Sequence, residues 1–353
     1  MSSTEKINLD SFCRALPKVE LHAHLNGSLS LRIMKKLYEL QHSDGRILMD
    51  LPNIEEPNSL EECFQLFPIV HSLTSTSEAV FIATCDMIGE FYDDGVIYLE
   101  VRSTPRAVDG VMTKKEYVEA IIRGIITSKN RYPEILVKYL ISVDRMKGYE
   151  SAKQNIELAI EMIEQYPDYV VGLDLSGDPS KGSAFLELLE KSRKAGLKIT
   201  AHCAEVPNEI EIMDILNFKP DRLGHCTCIH PTLNGKEELF QRLIQSNIPI
   251  ELCLTSNIKC GTVPSYDLHQ FKYLYEAGHP ICIATDDKGV FNTSLSKEFE
   301  LAARHFQLSQ DTLCQLTINS VKYSFASEIE KSRLTDVINA FRFQSVSTVS
   351  NTK

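Results

Sequence analysis

The chain has 353 residues, a formal net charge of −11 and an apolar fraction of 43%. That apolar content supports a sizeable core, and no long segment is polar enough to stay unfolded. The acidic balance argues against non-specific binding to a nucleic-acid polymer or an anionic membrane, although a few local cations would still hold a small anion.

Met1 to Cys13 is polar and mixed in charge, without the apolar centre of a secretory signal, and no run of about 18 apolar residues follows that would span a membrane. The ten cysteines form no Cys-x-x-Cys pair, and several sit inside apolar runs as buried reduced thiols do. A cytosolic protein is expected.

Eight β-like runs then alternate with amphipathic stretches. The runs are Val19–Leu25, Val96–Ser103, Leu136–Val143, Val170–Leu175, Lys198–His202, Arg222–Thr227, Ile248–Leu254 and Ile281–Thr285. Between them Lys115–Asn130, Ser151–Gln165, Ala184–Ala195 and Glu237–Ser246 read as helices. Runs nearly continuous in Val, Ile, Leu and Cys suit strands covered on both faces, and strict alternation implies parallel pairing. Eight such units predict an α/β (β/α)8 TIM barrel, with a doubly wound open sheet as the alternative. The placement of polar residues favours the barrel. His22 and His24, Ser103 and Arg106, Asp144, Asp174 and Gly177, His202 and Glu205, His225, Asn257, and Asp286 with Asp287 all fall at strand ends, where barrel enzymes carry their chemistry.

The first connection is the longest. Its Leu60–Leu73 and Glu78–Asp93 stretches read as two extra helices, an insertion over about residues 55–94 expected to cover the mouth. Leu295–Gln307 and Gln310–Ala326 read as helices after the last strand. A single domain over residues 1–343 is expected, with 344–353 a frayed Ser/Thr-rich tail.

His22 and His24 are two apart on a strand, so both imidazoles face the barrel interior. His202 and Asp286 would add a nitrogen and a carboxylate oxygen. Three neutral imidazoles, one carboxylate and an open position suit one catalytic Zn2+, though Co2+ or Fe2+ would also fit. Glu205, three residues past His202, could hold a proton beside the metal. His225 could orient the water or stabilise developing charge. Asp287 alternates away from Asp286, which suits a substrate contact. The bland alternatives are a chance His-x-His pair, a solvated loop glutamate and a hydrogen-bonded core histidine.

Together these residues resemble the adenosine deaminase superfamily of zinc-dependent purine deaminases. The resemblance runs from Leu16-Pro17-Lys18-Val19-Glu20-Leu21-His22-Ala23-His24-Leu25 to Thr285-Asp286-Asp287, with Gly172-Leu173-Asp174-Leu175-Ser176-Gly177, His202-Cys203-Ala204-Glu205 and Leu223-Gly224-His225 between, in the family's order. It implies zinc on His22, His24, His202 and Asp286, attack of an activated water on purine C6, and protonation of N1 by Glu205. It further implies that His225 steers the nucleophile while Asp287 and the Gly177 backbone hold the purine edge.

One position departs from the nucleoside deaminases, whose motif is His-x-His-Leu-Asp-Gly. Here Asn26 stands where the aspartate would meet a sugar 5′-hydroxyl. A carboxylate would repel a 5′-phosphate, whereas an amide can donate to it. Arg102-Ser103-Thr104-Pro105-Arg106 offers two hydroxyls and two guanidiniums as a phosphate clamp. His71 lies in the expected lid, and Lys288 has no assigned role. With Leu254-Thr255-Ser256-Asn257 and Thr285-Asp286-Asp287-Lys288-Gly289-Val290-Phe291, the chain is most similar to the subgroup acting on N6-methyl-AMP. That resemblance implies nucleotide contacts at His24, Asn26, His71, Ser103, Thr104, Pro105, Arg106, Asp144 and Gly177, and a small purine nucleotide as the partner. A monomer is expected. The alternatives are a deaminase of free adenosine, a dinuclear amidohydrolase (which would want a bridging lysine near Asp174–Gly177, where none occurs) and a non-catalytic nucleotide-binding barrel.

Overall fold

Strands such as Val96-Ile97-Tyr98-Leu99 are β-prone throughout, which leaves both faces to be covered. The computed structural model describes residues 3–41 and 60–350. Eight parallel strands follow one another around one sheet in chain order. They are β1 (Lys18–His24), β2 (Val96–Ser103), β3 (Leu136–Asp144), β4 (Val170–Ser176), β5 (Lys198–Cys203), β6 (Arg222–His225), β7 (Ile250–Leu252) and β8 (Ile281–Ile283). The sheet's edges meet where His24 N–H donates to Asp286 O at 3.2 Å and Asp286 N–H to His22 O at 2.8 Å. The result is a nearly closed TIM barrel with helices between the strands.

The last three strands are shorter than the apolar runs that contain them. Pro249 has no N–H and serves only as an acceptor, from Leu223 N–H at 2.9 Å, so β7 starts after it. Leu254–Lys259 then turns into a short helix, most of it buried.

The insertion differs from expectation. Helix α1 (Ser3–Ala15) precedes β1, and α2 (Leu31–Gln41), α3 (Leu60–Leu73) and α4 (Ser77–Asp93) lie between β1 and β2. Helix α4 packs along β2 and α5 (Lys114–Arg131), as a crossover helix between the first two strands does. It is therefore part of the barrel ring rather than an extra helix, and the additions are α2 and α3. Residues 55–59 of the expected insertion lie outside the described residues. The C-terminal helix Glu328–Ser350 continues through most of the expected tail. No Gly or Pro interrupts it, which removes the usual helix stop. Residues 351–353 lie outside the described residues. No helix of the described residues is long and apolar enough to cross a membrane.

The barrel interior beneath the strand ends is charged. Glu100, Arg102, Asp174, Arg222 and Glu251 are fully buried. Arg102 reaches Asp174 and Glu251, both at 3.0 Å, and the Leu21 carbonyl. Arg222 reaches Glu251 at 2.6 Å and Glu100. Thr200 donates to Glu251 at 2.8 Å. A desolvated ion network contributes little net stability, but its geometry is fixed because each charge needs its partners. It forms the floor on which the functional side chains stand.

Candidate metal centre and anion pocket

His22 and His202 are held from behind. His22 Nδ1 lies 2.6 Å from a Glu251 carboxylate oxygen, and His202 Nδ1 lies 2.9 Å from the Leu175 carbonyl. Both partners accept, so each ring carries a proton on Nδ1 and turns its Nε2 toward the mouth. Against its burial, hydrogen bonds to Asp286 and Glu251 raise the metal-free His22 to about 9, and a bound cation would displace its second proton. His22 Nε2 lies 3.3 Å from Asp286 Oδ1, and His24 Nε2 lies 3.4 Å from the same oxygen. His24 Nε2 is also 3.3 Å from His202 Nε2. Burial pushes the His24 imidazole down to about 3, so it is neutral near pH 7. His22 Nε2 is buried without a hydrogen-bond partner. Lone pairs and a carboxylate crowded in this way fit a divalent metal ion, which would satisfy all four at once.

The strand ends that carry these groups turn sharply. Asp286 (φ +61°), His225 (φ +63°) and Ala204 (φ +54°), the residue before Glu205, all adopt the left-handed conformation. Such strain in non-glycine residues persists where the surroundings over-determine it. Ser256 Oγ donates to Asp286 Oδ2 at 2.7 Å, which leaves Oδ1 to the imidazoles. His225 Nε2 lies 3.9 Å from Asp286 Oδ2 and 3.7 Å from Glu205 Oε2. Burial pushes His225 down to about 4. Glu205 Oε1 is buried without a hydrogen-bond partner, as suits a group awaiting a substrate.

Asp287 packs against Gly27. A Cβ built on Gly27 would stand 1.6 Å from Asp287 Oδ1 and 2.1 Å from its Cγ. Gly27→Ala is therefore expected to displace the Asp287 carboxylate and lower kcat/KM by about 100-fold, as misplacement of about 1 Å can do. Metal content should be unchanged, and steady-state kinetics beside metal analysis checks both. On the opposite wall Gly177 (φ +88°) would drive a Cβ to 2.1 Å from Asp144 Oδ1. Asp144 accepts from Met146 N–H at 2.9 Å, and burial pushes its carboxyl upward.

A second cluster joins Asn26, His71 and Arg106. Arg106 Nη2 donates to Thr74 Oγ1 at 2.6 Å and to the Thr74 carbonyl at 3.0 Å, and Nη1 donates to the His71 carbonyl at 3.3 Å. Thr74 Oγ1 donates to Asn26 Oδ1 at 3.1 Å, and Asn26 Nδ2 donates to Tyr117 OH at 3.1 Å. Arg106's acceptors are all neutral, and its Nε is buried without a hydrogen-bond partner. Among the described residues no carboxylate pairs with it, so the guanidinium is left available to an anion. Burial pushes His71 down to about 3, with Arg106 and Lys147 acting the same way.

Other members of the expected clamp are placed differently. Arg102 is fully buried in the ion network of the barrel floor and cannot reach a phosphate at the mouth; this corrects its assignment to the clamp. The Ser103 hydroxyl lies 3.0 Å from Tyr139 OH. Thr104 is half-buried and Pro105 buried on the turn that carries Arg106 outward. Lys288 acquires a role: it pairs with Glu90 of α4 at 2.6 Å, where Ser30 and Arg32 also converge. That pair ties the Asp286–Asp287 loop to α4.

Sequence reasoning missed Glu251, Ser256, Thr74, Tyr117, His269 and Gln270. Glu251 carried a signal, being a lone acid in the apolar run Ile248–Leu254. Glu100, Arg102, Asp174 and Arg222 interrupt other runs in the same way.

An eight-stranded parallel barrel with a histidine–carboxylate centre fit for a metal at its strand ends defines a class of hydrolases. The adenosine deaminase family model matches residues 17–341, and the chain belongs to that family. It is 49% identical over 329 residues to the human N6-methyl-AMP deaminase, covering 92% of each chain. To the Bos taurus N6-methyl-AMP deaminase it is 47% identical over 342 residues, covering 95% of this chain and 97% of that one. The crystal structure of an Arabidopsis ADAL complexed with IMP superposes with a TM-score of 0.86 at 37% identity, covering 94% of this chain and 98% of that one. The protein is a hydrolytic deaminase acting on a carbon–nitrogen bond.

Proposed function

We propose that the protein is a zinc-dependent deaminase of N6-substituted AMP, converting N6-methyl-AMP and water to IMP and methylamine in cytosolic purine nucleotide catabolism. It acts as one monomeric barrel domain over residues 1–343. The observation that carries the substrate reading is Arg106, a guanidinium with neutral acceptors and a buried unpartnered Nε, joined through Thr74 to Asn26. The names of its relatives support the same substrate.

His22, His24, His202 and Asp286 would hold one Zn2+. What the ion supplies when bound is a water acidified toward neutrality. Glu205 gives a proton to purine N1, which draws electrons from C6 and opens it to the water oxygen. His225 stabilises the charge growing on that oxygen. The C6–N6 bond then breaks: one proton of the water leaves with methylamine, and the other restores the Glu205 carboxyl that N1 discharged. His24, Asp287, Asp144 and the Gly177 backbone fix the purine and ribose. Asn26, His71, Ser103, Thr104, Pro105 and Arg106 surround the 5′-phosphate.

Incubation of N6-methyl-AMP with the purified protein should release methylamine and IMP in equal amounts. A chelator should abolish that release and added zinc restore it; failure to release methylamine contradicts the proposal. Arg106→Met should raise KM for the nucleotide by about 10–100-fold, the worth of one or two charge-assisted hydrogen bonds. Turnover of a nucleoside lacking the phosphate should hardly change, and parallel kinetics on the two substrates checks this.

A further inference from the structure

We infer that a relay of fixed hydrogen bonds through His269, Gln270 and Asn257 sets the tautomer of His225, placing its proton on Nε2 and making it a hydrogen-bond donor rather than a fifth metal ligand. The catalytic use of that donor rests on the deaminase reading above; the tautomer does not.

The relay begins at a group whose role is never in question. Phe271 N–H donates to His269 Nδ1 at 3.0 Å, so that nitrogen bears a lone pair. His269 is fully buried, and burial pushes its imidazole down to about 3. Its single proton is therefore on Nε2, which lies 3.0 Å from Asn257 Oδ1. Gln270 leads to the same conclusion independently. Its amide nitrogen donates to the His225 carbonyl at 2.9 Å and to the same Asn257 oxygen at 2.9 Å. The reversed Gln270 amide would set its oxygen against the His225 carbonyl oxygen, so the nitrogen also faces Asn257 and needs an acceptor there. Two donors thus identify Oδ1, which leaves Asn257 Nδ2 facing His225 Nδ1 at 3.0 Å. An amide nitrogen only donates, so His225 Nδ1 accepts and the ring proton is on Nε2.

Nε2 is the edge turned to the metal centre, within reach of both Glu205 and Asp286. By position alone His225 groups with His22, His202 and Asp286 as a possible ligand. A nitrogen that carries hydrogen can neither ligate a metal nor take a proton from water. It can only donate, and it is aimed before any substrate arrives, the condition under which such a donor is most effective. Asn257, His269 and Gln270 are all buried, and their contacts to His225 act through it alone, so they are positioning residues.

The test is the nitrogen signature of His225 in metal-loaded protein carrying 15N-histidine, assigned by its loss in His225→Gln. The wild type should show a protonated Nε2 and a bare Nδ1. A protonated Nδ1, or an Nε2 signature of metal ligation, overturns the inference. Asn257→Asp keeps an acceptor for His269 and Gln270 but turns its second oxygen toward His225, so Nδ1 should become protonated. Its kcat should fall by about 10²–10⁴ with KM and metal content little changed, the range associated with a lost oxyanion donor or a wrong tautomer. Unchanged kcat in a variant whose tautomer has switched overturns the catalytic part. The wild-type spectrum needs no variant to fold, and a protonated Nε2 in a protein that deaminates no purine would support the relay while contradicting the function proposed above.

Discussion

Glu205→Gln is expected to retain the metal and lose turnover, with kcat lower by about 10²–10⁴ and KM little altered. The substitution preserves the volume of the side chain. The buried Oε1 position would still be filled, but an amide cannot deliver a proton to a ring nitrogen. General acid catalysis by a positioned carboxyl contributes an effect of that size. Glu205 Oε2 lies 3.7 Å from His225 Nε2, so the carboxyl stands beside the metal centre, outside the set formed by His22, His24, His202 and Asp286. Metal analysis paired with single-turnover kinetics checks the prediction. Loss of metal with Glu205 would make it a ligand and remove its role as proton donor.

The second large effect is expected in the barrel floor, directly beneath the metal centre. Glu251→Ala removes the acceptor of His22 Nδ1 and, at the same time, a partner of Arg102, Arg222 and Thr200. Breaking a buried ion network by removing one member costs about 3–5 kcal/mol, because the remaining charges lie uncompensated. His22 would also lose what fixes its tautomer, and loss of such an outer partner lowers metal affinity by about 10–100-fold. Denaturant unfolding with and without metal separates the two contributions. The apoprotein should already be destabilised, and the stabilisation gained on adding metal should shrink. An apoprotein as stable as wild type would contradict the role given to the barrel floor.

Much of this site is legible in the amino-acid sequence. The two-residue spacing of His22 and His24, and the placement of His202, Glu205, His225 and Asp286 after apolar runs, follow from strand periodicity and barrel geometry alone. What the sequence hides depends on which strands face one another. Glu251 lies 229 positions from the histidine it holds, and Lys288 lies 198 from Glu90. Arg102 shows how adjacency misleads. It is four residues from Arg106, yet it sits on an interior strand position, while Arg106 lies beyond the turn at Pro105. Helix α4 resembles an addition in sequence because a long connection does not reveal which of its helices packs on the barrel. The Ser and Thr content of the tail suggests fraying, although no helix-breaking residue occurs between Glu328 and Ser350.

The most direct test of the account is an ultraviolet assay of the purified, zinc-loaded protein on N6-methyl-AMP, AMP and adenosine side by side. kcat/KM should be highest for N6-methyl-AMP and lowest for the free nucleoside, since only the nucleotides would engage Arg106 and Asn26. Preferential turnover of adenosine would contradict it, leaving the metal chemistry in place but removing the anion pocket from the reaction.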